Sequence, residues 1–256
     1  LILKIEKEIT LFIWVTTPEY FVSTLFITTG PAKHIQDLNR IADQSNKRIT
    51  HNGIFNGVSL STIKEESEIY SHFNLAFIPP EIRDWIENFE NVKPTDFNGL
   101  ITISDLRSDL HLHTDWSDGK NTLDEIVSSA IAHNFSTIAI TDHSPYVLSQ
   151  RYSDESYFND QHILIDDLYQ KYQSKITILK GVEVDILPNG DLDLSTGMLQ
   201  KMDIVIASLH IDLDQSQNNN TERMIRAIEN PFVNMIGHPG GRIFPMQDHT
   251  SLDWDR

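Results

Sequence analysis

The chain of 256 residues contains no cysteine. Disulfides and thiolate metal sites are therefore excluded, and any metal ion must be bound by nitrogen and oxygen donors. No apolar run approaches the ~20 residues that a membrane-spanning helix needs. The first residues also lack a basic segment followed by a hydrophobic core and a cleavage site. We therefore predict a cytoplasmic protein with no membrane partner, and the sequence indicates no protein partner.

Basic residues are scarce, with 20 Lys and Arg against 37 Asp and Glu and a formal net charge of -17. This balance works against a broad electrostatic surface for nucleic acid, although a local contact stays open. The length of 256 residues allows one large α/β domain or two smaller ones, and the hydrophobic fraction of 39% is sufficient for a sizeable core. Because the chain begins at Leu1 without a methionine and stops in Asp-Trp-Asp-Arg, we expect it to be a fragment of a longer protein.

The 11 histidines are the main candidates for metal binding. His111 and His113 alternate with apolar residues, as in a strand, so both side chains should lie on one face, about 7 Å apart. An isolated pair of this kind is weak evidence, because a lone histidine is more often a hydrogen-bonded polar residue than a ligand. The sequence after this pair strengthens the case for metal binding.

From Leu106 onward, predicted strands alternate with predicted helices. Thr122 and Glu125 form a capping box that opens a helix, and Asn134 is its expected end. Five successive predicted strands then end in a candidate ligand, while Asp118 follows the first strand in a Ser-Asp-Gly turn. The strand-end candidates are His111 with His113, His143, Glu183, His210 and His238. Because the carboxyl ends of barrel strands converge, we predict a polynuclear metal site there. The other histidines are predicted to be structural or surface residues: His34, His51, His72, His133, His162 and His249.

The motifs that carry these ligands resemble those of the PHP (polymerase and histidinol phosphatase) superfamily. They are DLHLHTDWSDG, ITDHS, GVEVDI, ASLH and IGHPGGR. The whole chain further resembles the carboxyl-terminal half of bacterial family X DNA polymerases, in which a polymerase thumb precedes the PHP domain. The segments TTGPAKHIQDLNRIA, IPPEIR and TERMIRAIENP carry that wider resemblance.

The resemblance implies an α/β fold, a distorted seven-stranded β/α barrel with three metal ions. It assigns His111, His113 and Glu183 to one ion, with Glu183 bridging to a second. His210 and His238 would hold that second ion, and Asp118 with His143 the third. The family's last signature, an Asp-x-His near the carboxyl end of the domain, is absent after His238, so the predicted barrel and metal centre are both incomplete.

For the amino-terminal part, the resemblance implies a degenerate end of a polymerase palm and a thumb over residues 1–100. The PHP domain would occupy residues 106–256. Phe12 stands about where the family has its third polymerase aspartate, and Ile27 and Thr28 replace an aromatic pair that contacts nucleotide. We therefore expect no polymerase activity.

The apolar run over residues 4–16 predicts a buried strand, and the spacing of Ile82, Trp85, Ile86 and Phe89 predicts an amphipathic helix.

Nitrogen and oxygen ligands suit Zn²⁺, Mn²⁺ or Fe²⁺, and two or three such ions would activate water for hydrolysis of a phosphoester. The predicted substrate is a DNA 3' end, with 3'-5' exonuclease or 3'-end processing activity. A small phosphomonoester resembling histidinol phosphate, a non-catalytic metal-stabilised scaffold and an amidohydrolase are the alternatives. Asp142 is a candidate proton donor or partner of a ligand histidine, and Arg242 is a candidate phosphate ligand or structural ion pair.

Overall fold

The computed structural model describes residues 2–5, 9–147, 154–241 and 250–256. The chain forms two compact units, Leu1–Leu100 and Ile101–Arg256. Among the described residues, no helix combines the length and the apolar composition needed to cross a membrane.

The first unit combines short helices with antiparallel strands. Its helices are α1 (Phe21–Thr29), α2 (Ala32–Gln44) and α3 (Glu66–Ser71). Its strands are β1 (Ile2–Ile5), β2 (Ile9–Phe12), β3 (Lys47–Thr50), β4 (Gly53–Asn56) and β5 (Ser59–Ser61). Strands β1 and β2 form an antiparallel pair, and β3, β4 and β5 form an antiparallel sheet in that order. Short 3-10 helices cover Pro18–Tyr20, Pro80–Trp85, Phe89–Asn91 and Pro94–Phe97.

Apolar residues from the helices and the three-stranded sheet form the core of this unit, with Phe26, Leu38 and Tyr70 fully buried. A buried cation lies among them. Arg83 is 3% exposed and pairs with Glu66 at 2.5 Å. Its Nε donates to the carbonyl of Ile78. A buried guanidinium is stable when a carboxylate and hydrogen bonds compensate for its lost hydration.

Two predictions for the first unit were wrong. The expected buried strand over residues 4–16 is replaced by the short strands β1 and β2, and Phe12, Trp14 and Val15 are exposed. An apolar run indicates a buried strand only when other elements cover both of its faces. The expected helix around Ile82–Phe89 is a 3-10 helix ending at Trp85, which is 82% exposed. Apolar spacing at three and four residues does not distinguish a short 3-10 turn from an α-helix.

The second unit alternates strands and helices along one parallel sheet. Its strands are β6 (Ser108–Leu112), β7 (Thr137–Ile140), β8 (Thr177–Asp185), β9 (Ile204–Ser208) and β10 (Met235–Ile236). Its helices are α4 (Leu123–Ala132), α5 (Tyr157–Tyr172), α6 (Thr196–Leu199) and α7 (Gln217–Glu229). All neighbouring strands are parallel, in the order β10-β9-β8-β7-β6. The sheet curls into a half-barrel, which confirms the predicted incomplete α/β barrel.

Local sequence explains why these elements form. All residues of β9 are buried, as expected for a parallel strand covered on both faces. Thr122 and Glu125 form the predicted capping box at the start of α4. The helix ends at Ala132, and Asn134 adopts a φ of 59°, a conformation that asparagine tolerates better than most residues. The consequence is a sheet whose strands all point their carboxyl ends toward the same edge.

Candidate metal centre

The candidate ligands lie at that carboxyl edge. His111 is the fourth residue of β6, and His113 follows the end of that strand. Glu183 is near the end of β8. His143, His210 and His238 lie two or three residues beyond the ends of β7, β9 and β10, respectively. The parallel topology therefore brings together side chains that are distant along the chain, as the sequence pattern predicts.

Glu183 occupies the middle of the cluster and is 1% exposed. Its Oε2 lies 3.3 Å from His111 Nε2 and 3.1 Å from His113 Nε2. The same oxygen is 3.3 Å from His143 Nδ1. Its other oxygen, Oε1, lies 2.6 Å from His238 Nε2 and 3.4 Å from His210 Nε2. One buried carboxylate is thus in contact with five imidazoles.

The five imidazoles form a closed ring around this carboxylate. The centroids of His111 and His113 are 5.2 Å apart, and those of His113 and His143 are 4.5 Å apart. The ring continues through His210 at 5.0 Å and His238 at 5.1 Å. His238 and His111 close the ring at 5.8 Å. Such crowding of imidazole rings around one buried carboxylate is typical of a ligand cluster.

Asp118 extends the cluster on the side of β6. Its Oδ1 lies 3.1 Å from His113 Nδ1, and its Oδ2 lies 3.6 Å from His143 Nε2. Because the Asp118 side chain is 66% exposed, this oxygen pair faces the open part of the site. His113 and His143 therefore each approach two carboxylates, one through each ring nitrogen.

Burial and hydrogen bonding change the proton affinities within the cluster. Burial alone would raise the pKa of Glu183, but hydrogen bonds from His111, His113, His210 and His238 outweigh burial and hold the pKa far below its usual value. Burial has the opposite effect on a histidine and lowers the pKa of His143, because it disfavours the charged imidazolium. For His210, burial is outweighed by hydrogen bonds to Asp185 and Glu183, which raise the pKa to about 9. Glu183 therefore stays ionised, as a metal ligand must be.

The donor set fits divalent metal ions. Three groups bring one ligand atom per residue to within 4.8 Å of one another: His111 with His113 and Glu183, His113 with Asp118 and His143, and His143 with Glu183 and His210. Two ligand atoms on one tetrahedral zinc ion are separated by roughly 3.4 Å, because each lies about 2.1 Å from the metal. The nitrogen–oxygen distances of 3.1–3.4 Å around Glu183 match that separation. His238 also contacts Glu183 but belongs to none of these three groups.

Gly237 allows His238 to lie close to Glu183. A Cβ atom added at Gly237 would overlap Ser208 Oγ and would lie 3.0 Å from Ile206 Cγ2 and 3.4 Å from Glu183 Oε1. His238 itself has a φ of 25°, which a residue with a side chain rarely adopts. The absence of a side chain at position 237 therefore allows His238 to reach the carboxylate.

Asp142 lies beneath the cluster and not in it. Its side chain is fully buried and accepts four hydrogen bonds. The donors are Thr114 N at 2.7 Å, Thr114 Oγ1 at 2.7 Å, Gln161 Nε2 at 2.6 Å and Ser117 Oγ. These bonds hold the turn between His113 and Asp118. A buried carboxylate with this many donors is typical of a residue that positions its neighbours, and a role of Asp142 in proton transfer stays a prediction.

Asp185 contacts His210, a candidate ligand for which no partner was predicted from the sequence. It is fully buried, and its Oδ1 lies 2.6 Å from His210 Nδ1. Sequence reasoning expected a partner of this kind at Asp142. The signal for Asp185 was the strand alternation of Glu183-x-Asp185, which places both carboxylates on the same face of β8.

The remaining predicted residues lie elsewhere. Arg242 and His249 fall outside the described residues. Within the first unit, His34 hydrogen-bonds Tyr70 and His51 stacks on Trp14. In the second unit, His162 is buried beside Phe158. These environments are structural, as the sequence predicts for them.

An open cavity of about 600 Å³ gives access to the ligand cluster. Apart from the candidate ligands, its lining consists of Val147, Leu209, Leu213 and Gly241 among the described residues. No lysine or arginine is part of that described lining.

Comparisons with known proteins agree with this architecture. A family model described as PHP domain matches residues 109–247, and one described as DNA polymerase beta thumb matches residues 24–84. A DNA polymerase/3'-5' exonuclease PolX from Bacillus subtilis (strain 168) is 35% identical over 257 residues, covering 100% of this chain and 45% of that protein. A probable phosphatase from Thermoanaerobacter sp. (strain X514) is 38% identical over 143 residues, covering 54% of this chain and 56% of that protein.

The chain thus spans about half the length of the curated relatives that it matches. A solved structure of histidinol phosphate phosphatase from Lactococcus lactis aligns with 20% identity and a TM-score of 0.36, over 52% of this chain and 57% of that one. That structural likeness is too weak to bear on the fold or the chemistry. The PHP domain match, in contrast, covers more than half of the chain and includes all seven candidate ligands. The chain therefore belongs to the PHP domain family.

Proposed function

We propose that the second unit is a metal-dependent phosphoesterase, a hydrolase that cleaves phosphate esters with a metal-activated water. The observation that carries this proposal is the closed ring of five imidazoles around the buried Glu183, with Asp118 beside it. Such a donor set binds divalent cations, and clustered cations are the usual means by which proteins hydrolyse phosphate esters at neutral pH.

The proposed ligands are His111, His113, Asp118, His143, Glu183, His210 and His238. The three overlapping groups of ligand atoms support two or three ions. Zn²⁺, Mn²⁺ and Fe²⁺ all accept imidazole and carboxylate ligands, so we propose one of these metals. When bound, such ions supply a water of lowered pKa and positive charge for the phosphate oxygens.

The chain's own residues would orient this chemistry. Glu183 is held ionised and buried, so that its two oxygens face different histidines. Asp142 fixes the turn that carries Asp118 toward the open side of the cavity. Arg242, four residues beyond His238, is proposed to bind a substrate phosphate, because a guanidinium can donate two parallel hydrogen bonds to it.

DNA 3' ends are the substrate that we favour, with 3'-5' exonuclease or 3'-end processing activity. The Bacillus subtilis relative that matches the whole chain is named as a polymerase and 3'-5' exonuclease, and the thumb match supports a unit for DNA at residues 1–100. We propose that this unit is a degenerate palm end and thumb preceding the PHP domain at residues 106–256. Polymerase activity is not proposed, because Phe12 provides no carboxylate at the position implied for a catalytic aspartate.

A small-molecule phosphatase of the histidinol phosphatase type is the second candidate. The net charge of -17 favours a small substrate over a long polyanion. Relatives named probable phosphatases are 36–38% identical over 54–57% of this chain. A third candidate is a non-catalytic metal-stabilised scaffold, supported by the missing Asp-x-His. A cytoplasmic location stays a prediction that imaging of a tagged chain in cells would test.

The test compares hydrolysis of four substrates by the purified chain with Mn²⁺, Zn²⁺ or a chelator. Two substrates are oligonucleotides with a 3'-phosphate or a 3'-hydroxyl, and two are the phosphomonoesters p-nitrophenyl phosphate and histidinol phosphate. The matched variants are Glu183→Gln and Glu222→Gln, since Glu222 makes an exposed ion pair with Arg256. We expect metal-dependent release from the oligonucleotides, a loss of at least about 100-fold in Glu183→Gln and no loss in Glu222→Gln.

Each other result has a distinct meaning. Release from the phosphomonoesters alone would replace the DNA substrate with the small-molecule one. If metal-loaded protein hydrolyses none of the four substrates, the scaffold candidate stands and the enzyme proposal fails. Equal activity in Glu183→Gln and the wild type would show that the ring around Glu183 is not the active centre.

A further inference from the structure

We infer that Asp185 is a positioning residue: its carboxylate fixes the His210 ring with Nε2 facing Glu183 and thereby strengthens cation binding by the group of His143, Glu183 and His210. This inference rests on the metal site of the proposed function. Asp185 contacts no substrate or ion in this role and acts through His210.

Asp185 is itself held rigidly. Its backbone N–H donates to Ser144 Oγ at 3.0 Å, and its carbonyl oxygen accepts from Asp193 N at 3.0 Å. It pairs with Ser208 of the neighbouring strand β9 and is fully buried. A carboxylate on such a fixed strand end has little freedom to leave its partner, so it can impose an orientation on that partner.

The backbone that carries His210 is fixed from another side. Arg223 of α7 is 1% exposed, and its Nη1 donates to the carbonyl of Ile211 at 3.0 Å and to that of Asp212 at 3.2 Å. Its Nη2 donates to the carbonyl of Ile186, immediately after Asp185. The loop after β9 is therefore tied to the end of β8. What remains free is the rotation of the His210 ring.

The hydrogen bond that Asp185 accepts from the imidazole determines that rotation. With Asp185 Oδ1 at 2.6 Å from Nδ1, the opposite ring nitrogen lies 3.4 Å from Glu183 Oε1. A half-turn of the ring would break the Asp185 bond and move Nε2 away from Glu183. A carboxylate on the distal nitrogen of a ligand histidine also keeps the proton there and makes the ligating nitrogen more basic. Asp185 therefore prepares Nε2 for a cation before any cation binds.

Asp142 provides the contrast within the same unit. It is equally buried, yet the donors to its carboxylate are a backbone amide, two hydroxyls and an amide side chain, and none is an imidazole. The two aspartates thus act on different parts of the site. Asp142 fixes a turn, whereas Asp185 fixes a single ligand ring.

The test measures zinc binding and the state of the His210 ring in the whole chain. The variant is Asp185→Asn, and the control is Asp203→Asn, whose carboxylate accepts from the backbone N–H of Lys180, the fourth residue of β8. Zinc affinity is measured by competition with a chromophoric chelator. Proton NMR of protein labelled with ¹⁵N-histidine follows the His210 Nδ1–H resonance in the zinc-loaded state. We expect a 10–100-fold weaker zinc site in Asp185→Asn and an unchanged one in Asp203→Asn.

In the wild type, the His210 Nδ1–H resonance should show the strong downfield shift of a proton bonded to a carboxylate, and Asp185→Asn should move it upfield. Unchanged affinity together with an unchanged resonance in Asp185→Asn would overturn the inference. If that variant does not fold, the wild-type spectrum decides, since an Nδ1–H resonance without the downfield shift is incompatible with the proposed bond. Neither readout requires hydrolysis. An inactive chain that binds zinc is thus judged by the same results, whereas a wild type that binds no zinc overturns both proposals.

Discussion

Asp142→Asn should destabilise the second unit and weaken its metal site together. In the wild type the carboxylate accepts bonds from Thr114 N and Ser117 Oγ on one oxygen and from Thr114 Oγ1 and Gln161 Nε2 on the other. The asparagine amide can replace one oxygen, but its NH₂ group would face two donors. A hydrogen bond to a charged group contributes about 1.5–3 kcal/mol, so two lost bonds correspond to about 3–6 kcal/mol. Reorientation of the Gln161 amide or of the Thr114 hydroxyl recovers part of this loss, but the remaining bonds lose their charged partner, so we expect a cost of at least about 1.5 kcal/mol.

Urea unfolding gives the change in stability, and a zinc titration of the same samples gives the change in affinity. The matched control is Asp124→Asn, because Asp124 forms an exposed ion pair with Lys171 and its loss should cost at most about 1 kcal/mol. A proton donor behaves differently, since its removal lowers hydrolysis while stability and zinc affinity stay at the wild-type values. If Asp142→Asn lost hydrolysis alone, the positioning role would be refuted and the predicted catalytic role restored.

Two further perturbations test the fold around these sites. His34 is buried, and burial followed by the charge of Arg83 lowers its pKa to about 4 from 6.5. Between pH 6.5 and about pH 4, His34 is therefore protonated in the unfolded chain and neutral in the folded one. Protonation thus favours unfolding, and the free energy of unfolding should fall by about 2 kcal/mol from pH 7 to pH 5. Urea unfolding of wild type and His34→Gln at both values checks this, and an equal pH dependence in the two proteins would contradict it. Gly237→Ala should cost about 1–3 kcal/mol and weaken zinc binding, because the added methyl overlaps Ser208. Gly240→Ala is its control, because a Cβ there meets no atom of the described residues within 4 Å, and the prediction fails if both variants bind zinc equally well.

Much of the second unit could be predicted because its signals are local and repeated. Parallel buried strands are apolar runs of limited length, and each run here is followed by a polar ligand type. The capping residues Thr122 and Glu125 fix where α4 begins. The first unit offered no such repetition. Its apolar segment around Phe12 is exposed, since burial depends on neighbours that a local pattern does not specify.

The two buried aspartates show what strand alternation adds to local reasoning about the site. Asp142 and His143 are consecutive, and consecutive residues of an extended chain point to opposite faces, so Asp142 had to face away from the metal ligands. Accordingly it bonds Gln161 of α5, on the helical side of the sheet. Asp185 is two residues after Glu183 and shares its face, where it reaches His210. Strand alternation alone therefore distinguishes Asp185, which can contact a ligand histidine, from Asp142, which supports the turn between His113 and Asp118. Adjacency to a ligand in sequence is the weaker criterion.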